Sequence, residues 1–242
     1  MSDAPTISLL HATKGKPEKA LATMRLWAER AYTPALIEYV LAWERSDEAS
    51  TAFFDATLPT AEMPWFEGGV VAIRGDFGGS APAWAAAAMA SSGELLIQVS
   101  DDFEPPGHWD TALLNRLPPD WEKEPLVIAV SDGLRRDKLM TMFICTTAYA
   151  AQKGEFLHAG YQSMFSDDDA TFRAYFDQSQ GKCRVIEARD LVFRHRHHCA
   201  DGSVPEDDTY RWQNRPEAYG AGKKLFVERN PTAYGRHAGL WM

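Results

Sequence analysis

Short apolar runs, each closed by a polar cluster, alternate along this chain with stretches that are apolar on one side only. The first run predicts a strand over Thr6–His11, followed by a turn at Lys14-Gly15-Lys16-Pro17. Leu21, Met24, Trp27 and Ala28 then recur at helical spacing and predict a helix over Pro17–Ala31. Glu38–Trp43 reads as a strand that runs into the acidic Glu44-Arg45-Ser46-Asp47-Glu48, and Val70–Ile73 as a strand ahead of the glycine-rich Gly75–Gly79. A helix is expected over Ala81–Ser91, with Gly93 as the residue that closes it. Leu95–Val99 is apolar throughout, the mark of a strand buried on both faces.

The second half continues the rhythm. Trp109–Leu117 predicts a helix with Asp110 as its cap, Leu126–Val130 an apolar strand leading to Ser131-Asp132-Gly133, and Phe143–Ala151 fits strand and helix equally. Asp168–Phe176 reads as helix, Cys183–Ala188 and Leu191–Phe193 as strands, and Thr209–Phe226 as one long final helix capped by Asp207-Asp208. Strands alternating with helices imply an α/β fold with a mainly parallel central sheet flanked by helices. No Pro/Gly/Ser-rich linker divides the chain, so a single domain over residues 1–242 is expected.

Composition narrows the class. The 242 residues are 45% hydrophobic and 24% charged, which excludes a disordered or fibrous chain. No apolar run approaches the roughly 20 residues of a membrane span. The opening lacks a basic segment followed by a long apolar one, so no signal peptide is expected and a cytoplasmic setting is. Cys145, Cys183 and Cys199 are too scattered for a disulfide framework. A net charge of -9 opposes broad binding to nucleic acid but leaves room for a local basic groove. The acidic excess also suits carboxylates gathered around a divalent metal.

Candidate chemistry lies where strands end. In open α/β sheets ligands bind beyond the carboxyl ends of the strands. Three predicted strands close on His11-Ala12-Thr13-Lys14, Glu44-Arg45-Ser46-Asp47 and Ser100-Asp101-Asp102. Each alone reads as a solvated loop; as parallel neighbours they would share one rim. Asp101 and Asp102 are the sharper signal, because adjacent carboxylates repel unless a cation, donors or water separate them. Mg²⁺ or Mn²⁺ would resolve that repulsion and keep positions open for substrate phosphates.

Here the sequence resembles the GT-A fold glycosyltransferases of family 2. The segment from Ala85 through Gly93-Glu94-Leu95-Leu96 to Ser100-Asp101-Asp102, with Pro105 and Trp109-Asp110 beyond it, looks like their metal-binding region. Ser8 to Pro17 is similar to their first strand and nucleotide-holding turn. The family's Asp-x-Asp is not kept literally, since Phe103 follows Asp102, and Asp102 is the favoured metal residue with Asp101 beside it. The resemblance implies an inverting transferase that moves a sugar from a nucleoside diphosphate donor, a UDP-sugar by preference, to a hydroxyl acceptor, with Mn²⁺ or Mg²⁺ as cofactor. The acceptor would be a glycan, a small molecule or a modified base in DNA. His11, Thr13, Lys14, Glu44, Asp47 and Asp101 would meet the nucleotide sugar. Residues 1–130 would form the donor and metal half, and 131–242 the acceptor and base half.

Two further constellations take roles from that resemblance. Asp167, Asp168 and Asp169 stand at a predicted helix start, where carboxylates suit the dipole and cap free N–H groups. The resemblance implies that one of them, Asp167 or Asp168 ahead of Asp169, takes the acceptor's proton. His195 and His197 alternate along a strand and so face one side, though with Cys199 they fall short of a zinc set. The resemblance gives them the metal or the donor diphosphate. Trp65, Trp84, Trp109 and Trp121 suit the core better than sugar stacking. A nucleotidyltransferase is the competing enzyme class, but the first turn has no glycine-rich phosphate loop with its lysine. A non-catalytic carbohydrate-binding module would need neither the acidic pair nor the metal.

Overall fold

A computed structural model describes residues 6–58, 66, 68–196, 208–213 and 215–231. Seven strands form the central sheet: β1 (Ile7–Thr13), β2 (Ile37–Glu44), β3 (Val70–Gly75), β4 (Leu95–Val99), β6 (Leu126–Ser131), β7 (Ile144–Thr146) and β8 (Arg184–Val192). Their order is β3-β2-β1-β4-β7-β6-β8. β1 pairs in parallel with β2 and β4, β2 with β3, and β6 with β8. Only β7 runs against its neighbours β4 and β6. Two reversals restore direction, so β6 and β8 point the same way as β4. Every parallel strand therefore delivers its carboxyl end to one rim. A two-stranded ribbon, β5 (Phe103–Glu104) with β9 (Arg194–His195), lies just past β4.

Helices cover both faces, so the central strands are buried almost throughout and their polar side chains, Ser8, His11, Glu38 and Gln98 among them, are hydrogen-bonded within the protein. On one face α1 (Pro17–Glu29) and α4 (Trp109–Leu114) bring Leu21, Met24, Trp27, Trp109 and Leu113 against Ile7, Leu9, Tyr39 and Ile97. On the other, α3 (Ser80–Ala90), α5 (Thr147–Lys153) and α6 (Ser166–Ser179) bring Trp84, Ala87, Tyr149 and Ala174 against Leu10, Val40, Leu96 and Val127. α2 (Glu48–Thr57) follows β2, and α7 (Asp208–Gln213) and α8 (Pro216–Arg229) close the described chain.

Several elements differ from the sequence expectation. α2 was not expected, because the acidic run after Trp43 masks its start; Asp47 is its cap, accepting from the Ser50 backbone N–H at 3.1 Å. The ambiguous 143–151 segment is strand then helix, split at Thr146, whose hydroxyl accepts from Tyr149 N–H. The long final helix is two helices, divided ahead of Pro216, where a proline can start a helix but not continue one. Asp208 accordingly opens α7 rather than capping the last helix, and Asp207 lies outside the described residues. Gly93 does not close α3. Its N–H bonds Ser8 and Glu38, and a Cβ there would lie 2.5 Å from the Ser8 hydroxyl, so the glycine serves close strand contact. Asp110 does not cap α4 either; its carboxylate accepts from Tyr32 and Thr33 N–H at 2.8 and 2.7 Å. Trp84, Trp109 and Trp121 are buried, and Trp65 lies outside the described residues.

Candidate active site

The three polar clusters share one rim, because β2, β1 and β4 are parallel neighbours. At its centre the two aspartates just past β4 part company. Asp101 turns toward β1, where His11 Nε2 stands 2.9 Å from Oδ1 and the Thr13 hydroxyl donates to Oδ2 at 3.1 Å. Asp102 turns toward the ribbon, where His195 Nε2 lies 3.1 Å from Oδ2 and the Ser100 hydroxyl donates to Oδ1. The chain thus relieves the expected repulsion by giving each carboxylate its own donors.

Burial pushes the Asp102 carboxyl up. Hydrogen bonding to His195 and its charge, then the Ser100 hydroxyl, outweigh burial and hold it well below the usual carboxylate range. His195 is placed by main-chain bonds: its N–H donates to the Asp132 carbonyl at 2.9 Å, and Arg196 N–H donates to the Asp102 carbonyl at 2.8 Å. Its ring stacks on Phe103, centroids 4.5 Å apart. Phe103, which stands where the family's Asp-x-Asp would place its second acid, is thus a platform for the histidine. His197 lies outside the described residues.

Two expected nucleotide contacts are engaged within the protein. Glu44 accepts from Phe77 and Gly78 N–H at 3.1 and 2.7 Å, fixing the glycine-rich turn after β3. Asp47 accepts from Ser50 and, at 2.6 Å, from Gly15 N–H, which ties the turn after β1 to α2. His11 is wholly buried and so cannot touch a donor directly. Lys14 is exposed, its ammonium 5.7 Å from the centre of the Trp212 ring.

The three acids at the start of α6 have separate surroundings. Asp169 is buried and bonded to the Tyr161 hydroxyl, Arg229 and Asn230, an anchor between α6 and the end of α8. Asp167 accepts from Asp168 N–H at 3.0 Å and lies in the field of Arg135. Burial and the charge of Asp167 push the Asp168 carboxyl up to about 7. The cap position of α6 is not an acid but Phe165, in the left-handed region at φ 70°, and of the free N–H groups of the first turn Asp167 takes that of Asp168.

One loop connects the two acidic pairs, and sequence reasoning gave it no role. Asp132, at the end of β6, holds His195 through its carbonyl and accepts from Leu134 and Arg135 N–H through its carboxylate, each at 2.8 Å. Arg135 is braced on Asp137 and faces Asp167. The available signal was a fourth polar cluster, Ser131-Asp132-Gly133, at the end of a fourth apolar strand. Beside this rim, a cavity of about 150 Å³ opens between the loop ahead of α6 and the two last helices, lined among others by Gln162, Met164, Trp212, Ala218 and Leu225.

Comparison with solved structures decides the fold. TarS residues 1–349 from S. aureus superimpose over 97% of this chain and 73% of theirs, with TM-score 0.62 and 12% identity. The chain has a GT-A fold. The mannosyltransferase PcManGT from Pyrobaculum calidifontis, in complex with GDP-Man and Mn²⁺, covers 95% of this chain and 76% of its own at TM-score 0.58 and 10% identity. TarS 1–349 in complex with UDP-GlcNAc matches at TM-score 0.55, 12% identity, over 97% of this chain and 74% of its own. No protein-family model and no curated protein matches the sequence. None of the described helices is long and apolar enough to cross a membrane.

Proposed function

We propose that this protein is an inverting glycosyltransferase that moves a sugar from a nucleoside diphosphate sugar, a UDP-sugar by preference, to an acceptor hydroxyl. What supports the reading is the Asp132–Arg135 loop of this GT-A fold: Asp132 holds His195, the partner of Asp102, through its carbonyl, while Arg135 lies in the field of Asp167. Solved GT-A neighbours in complex with UDP-GlcNAc, and with GDP-Man and Mn²⁺, support the donor class and a divalent cation.

The residues present fit such a cation. Asp102 is held ionised, and both it and His195 are partly open to solvent, with side-chain exposures of 29% and 18%. Among the described residues no three His, Cys, Asp or Glu side chains gather; with Asp102 and His195 as protein ligands, phosphate and water would complete the shell of Mg²⁺ or Mn²⁺. Asp102 and His195 would hold it, and bound there it would offset the charge that develops on the departing diphosphate.

The rest of the work falls to side chains. Asp101, with two donors already in place, keeps one lone pair on each oxygen for the donor. Lys14 offers a positive charge at the rim. Asp168 is the base: a carboxyl raised to about 7 binds the acceptor's proton far better than an ordinary aspartate yet is half ionised at neutral pH. Asp167 keeps it raised, and Arg135 steadies the negative charge when both are ionised. The acceptor enters by the cavity along Met164, Trp212 and Ala218, which lies between the Lys14 rim and the start of α6. His195 crosses from the acceptor half to complete the donor half.

Incubating the full chain and Mn²⁺ with a panel of nucleotide sugars, and in parallel with nucleoside triphosphates plus sugar phosphates, tests the reading. Slow release of nucleoside diphosphate and free sugar is expected for at least one donor. Release of pyrophosphate from nucleoside triphosphate and sugar phosphate, or complete inertness, would overturn it.

A further inference from the structure

A polar chain crosses the apolar face of the sheet directly beneath Asp101. Tyr39 and His11 are both wholly buried, among Leu9, Leu41, Ile97 and Val99. The Tyr39 hydroxyl lies 2.5 Å from His11 Nδ1, His11 Nε2 lies 2.9 Å from Asp101 Oδ1, and the Thr13 hydroxyl reaches Asp101 Oδ2 at 3.1 Å. Strand register creates this line. Leu9 pairs with Tyr39 and His11 with Val99, so Tyr39 on β2, His11 and Thr13 on β1, and Asp101, two residues past Val99, fall on one face.

Chemistry fixes the direction of the chain. An ionised Asp101 only accepts, so His11 Nε2 carries the proton that bridges them. Burial, then the Asp101 charge, push the Tyr39 phenol well above its ordinary range and keep it neutral, with its proton available to His11 Nδ1. Two donors from β1 thus hold both oxygens of Asp101 at once, and Tyr39 of β2 holds the His11 ring. An apolar pair would pack this face without burying polar groups, and polar groups placed there must be fully bonded. The arrangement does nothing for the core that leucines would not do better. What it does is fix one carboxylate at the rim.

We propose that Tyr39 and His11 are positioning residues for donor binding: they act through Asp101, holding its carboxylate in the orientation that meets the nucleotide sugar. This rests on the transferase reading above. His11 then has a donor-related role without touching the donor.

The test is a double-mutant cycle on the full chain, with donor Kd measured by calorimetry using UDP-sugar and Mn²⁺. Relative to the unaltered protein, His11→Leu and Asp101→Asn should each weaken donor binding about tenfold, the scale of one hydrogen bond to a charged group. If His11 acts through Asp101, adding His11→Leu to Asp101→Asn should cost less than about twofold more. Tyr39→Phe removes one hydroxyl with little change of packing, and should give a loss of about threefold that also vanishes in the Asp101→Asn background. His11→Gln, which can still donate near the Nε2 position, should recover most of the affinity lost in His11→Leu. A merely structural role would instead shift the melting temperature, leave the Kd of the folded variants unchanged, and show no rescue. Additive losses, or an unchanged Kd in His11→Leu and Tyr39→Phe, overturn the positioning role alone. An unaltered protein that binds no nucleotide sugar overturns the transferase reading and this one with it.

Discussion

His195 Nε2 stands 3.1 Å from Asp102 Oδ2 although 93 positions separate the two residues. The contact depends on the β5–β9 ribbon, which lays Arg194–His195 antiparallel to Phe103–Glu104 and so returns β9, the last of the described strands, to the end of β4. Removing either side chain should weaken Mn²⁺-dependent donor binding on the order of tenfold or more, with metal-free binding much less affected; calorimetry with and without Mn²⁺ checks this for Asp102→Asn and His195→Ala. Equal losses with and without metal would count against the assignment. The pair also leaves a mark on stability. The folded pKa of Asp102 lies below its unfolded value near 4, so its contribution is present above about pH 4 and is lost as pH falls further. The stability gap between the parent and Asp102→Asn should therefore narrow in acid denaturation below that pH.

The second acidic pair predicts a pH profile. With its pKa raised to about 7, Asp168 is protonated in mild acid and ionised in mild base, and only the ionised form can take the acceptor's proton. Turnover should climb with pH and level off above about 7. Asp168→Asn should lower kcat on the order of 10²–10⁴-fold with donor affinity retained. Asp167→Asn removes the like charge that helps raise Asp168, so the acidic limb should move to lower pH by about one unit. A limb that stays in place in Asp167→Asn would mean that the two carboxylates are not coupled. For stability the sign is reversed: a carboxyl raised on folding stabilises the protein fully below the unfolded pKa, and this is lost as pH rises through about 7.

Asp169 should behave unlike its neighbours. It is buried against Arg229, Asn230 and Tyr161, and Arg229 keeps Glu155 as a second partner at 2.7 Å. Asp169→Ala leaves that cation half-paired and should cost about 3 kcal/mol, a fall in Tm of roughly 6–12 °C. The folded fraction should turn over at the parent's rate. A variant with normal Tm and abolished turnover would reverse this assignment and return Asp169 to the base.

The rim could be read from the sequence, because unbroken apolar strands closed by polar clusters specify a parallel sheet and point to its carboxyl edge. Asp101-Asp102 stood out for the same reason, as a charge problem at the end of Leu95–Val99. Which partner each acid takes could not be read, since that depends on register between β1 and β4 and on the ribbon, both settled by contacts across some 90 positions. Glu44 and Asp47 carried the right chemistry for a nucleotide, but local geometry uses them on the N–H groups of Phe77, Gly78, Ser50 and Gly15. His11 was legible as a rim residue and not as a buried one. The alternation that places it on the Tyr39 face was present in the sequence, yet it identifies a partner only once strand neighbours are known. Likewise the three acids of α6 look equivalent as a run, and only the packing of α8 separates Asp169 from the pair.

The cavity beside α8 gives the last prediction. Small residues hold it open: Ala218 and Gly222 face it from α8, and a Cβ on Gly222 would stand 2.7 Å from the Met164 carbonyl, so the loop ahead of α6 seats directly on that helix. Gly222 is therefore a poor position to enlarge, because the change would shift the segment that carries Asp167 and Asp168. Ala218 lines the cavity and is partly exposed, so a larger side chain there can occupy the cavity without displacing that loop. A cavity of about 150 Å³ is the size that holds one six-membered ring, and Ala218→Phe would fill it with one. If the acceptor enters there, transfer to a saturating acceptor should fall about tenfold or more in this variant, through a raised acceptor KM. Donor Kd and the slow hydrolysis of donor by water should stay near the parent's values, since water needs no such space. Paired assays of transfer and hydrolysis separate the outcomes. A parallel fall in both would place the cavity in the donor site, and normal transfer would place the acceptor on another part of the rim.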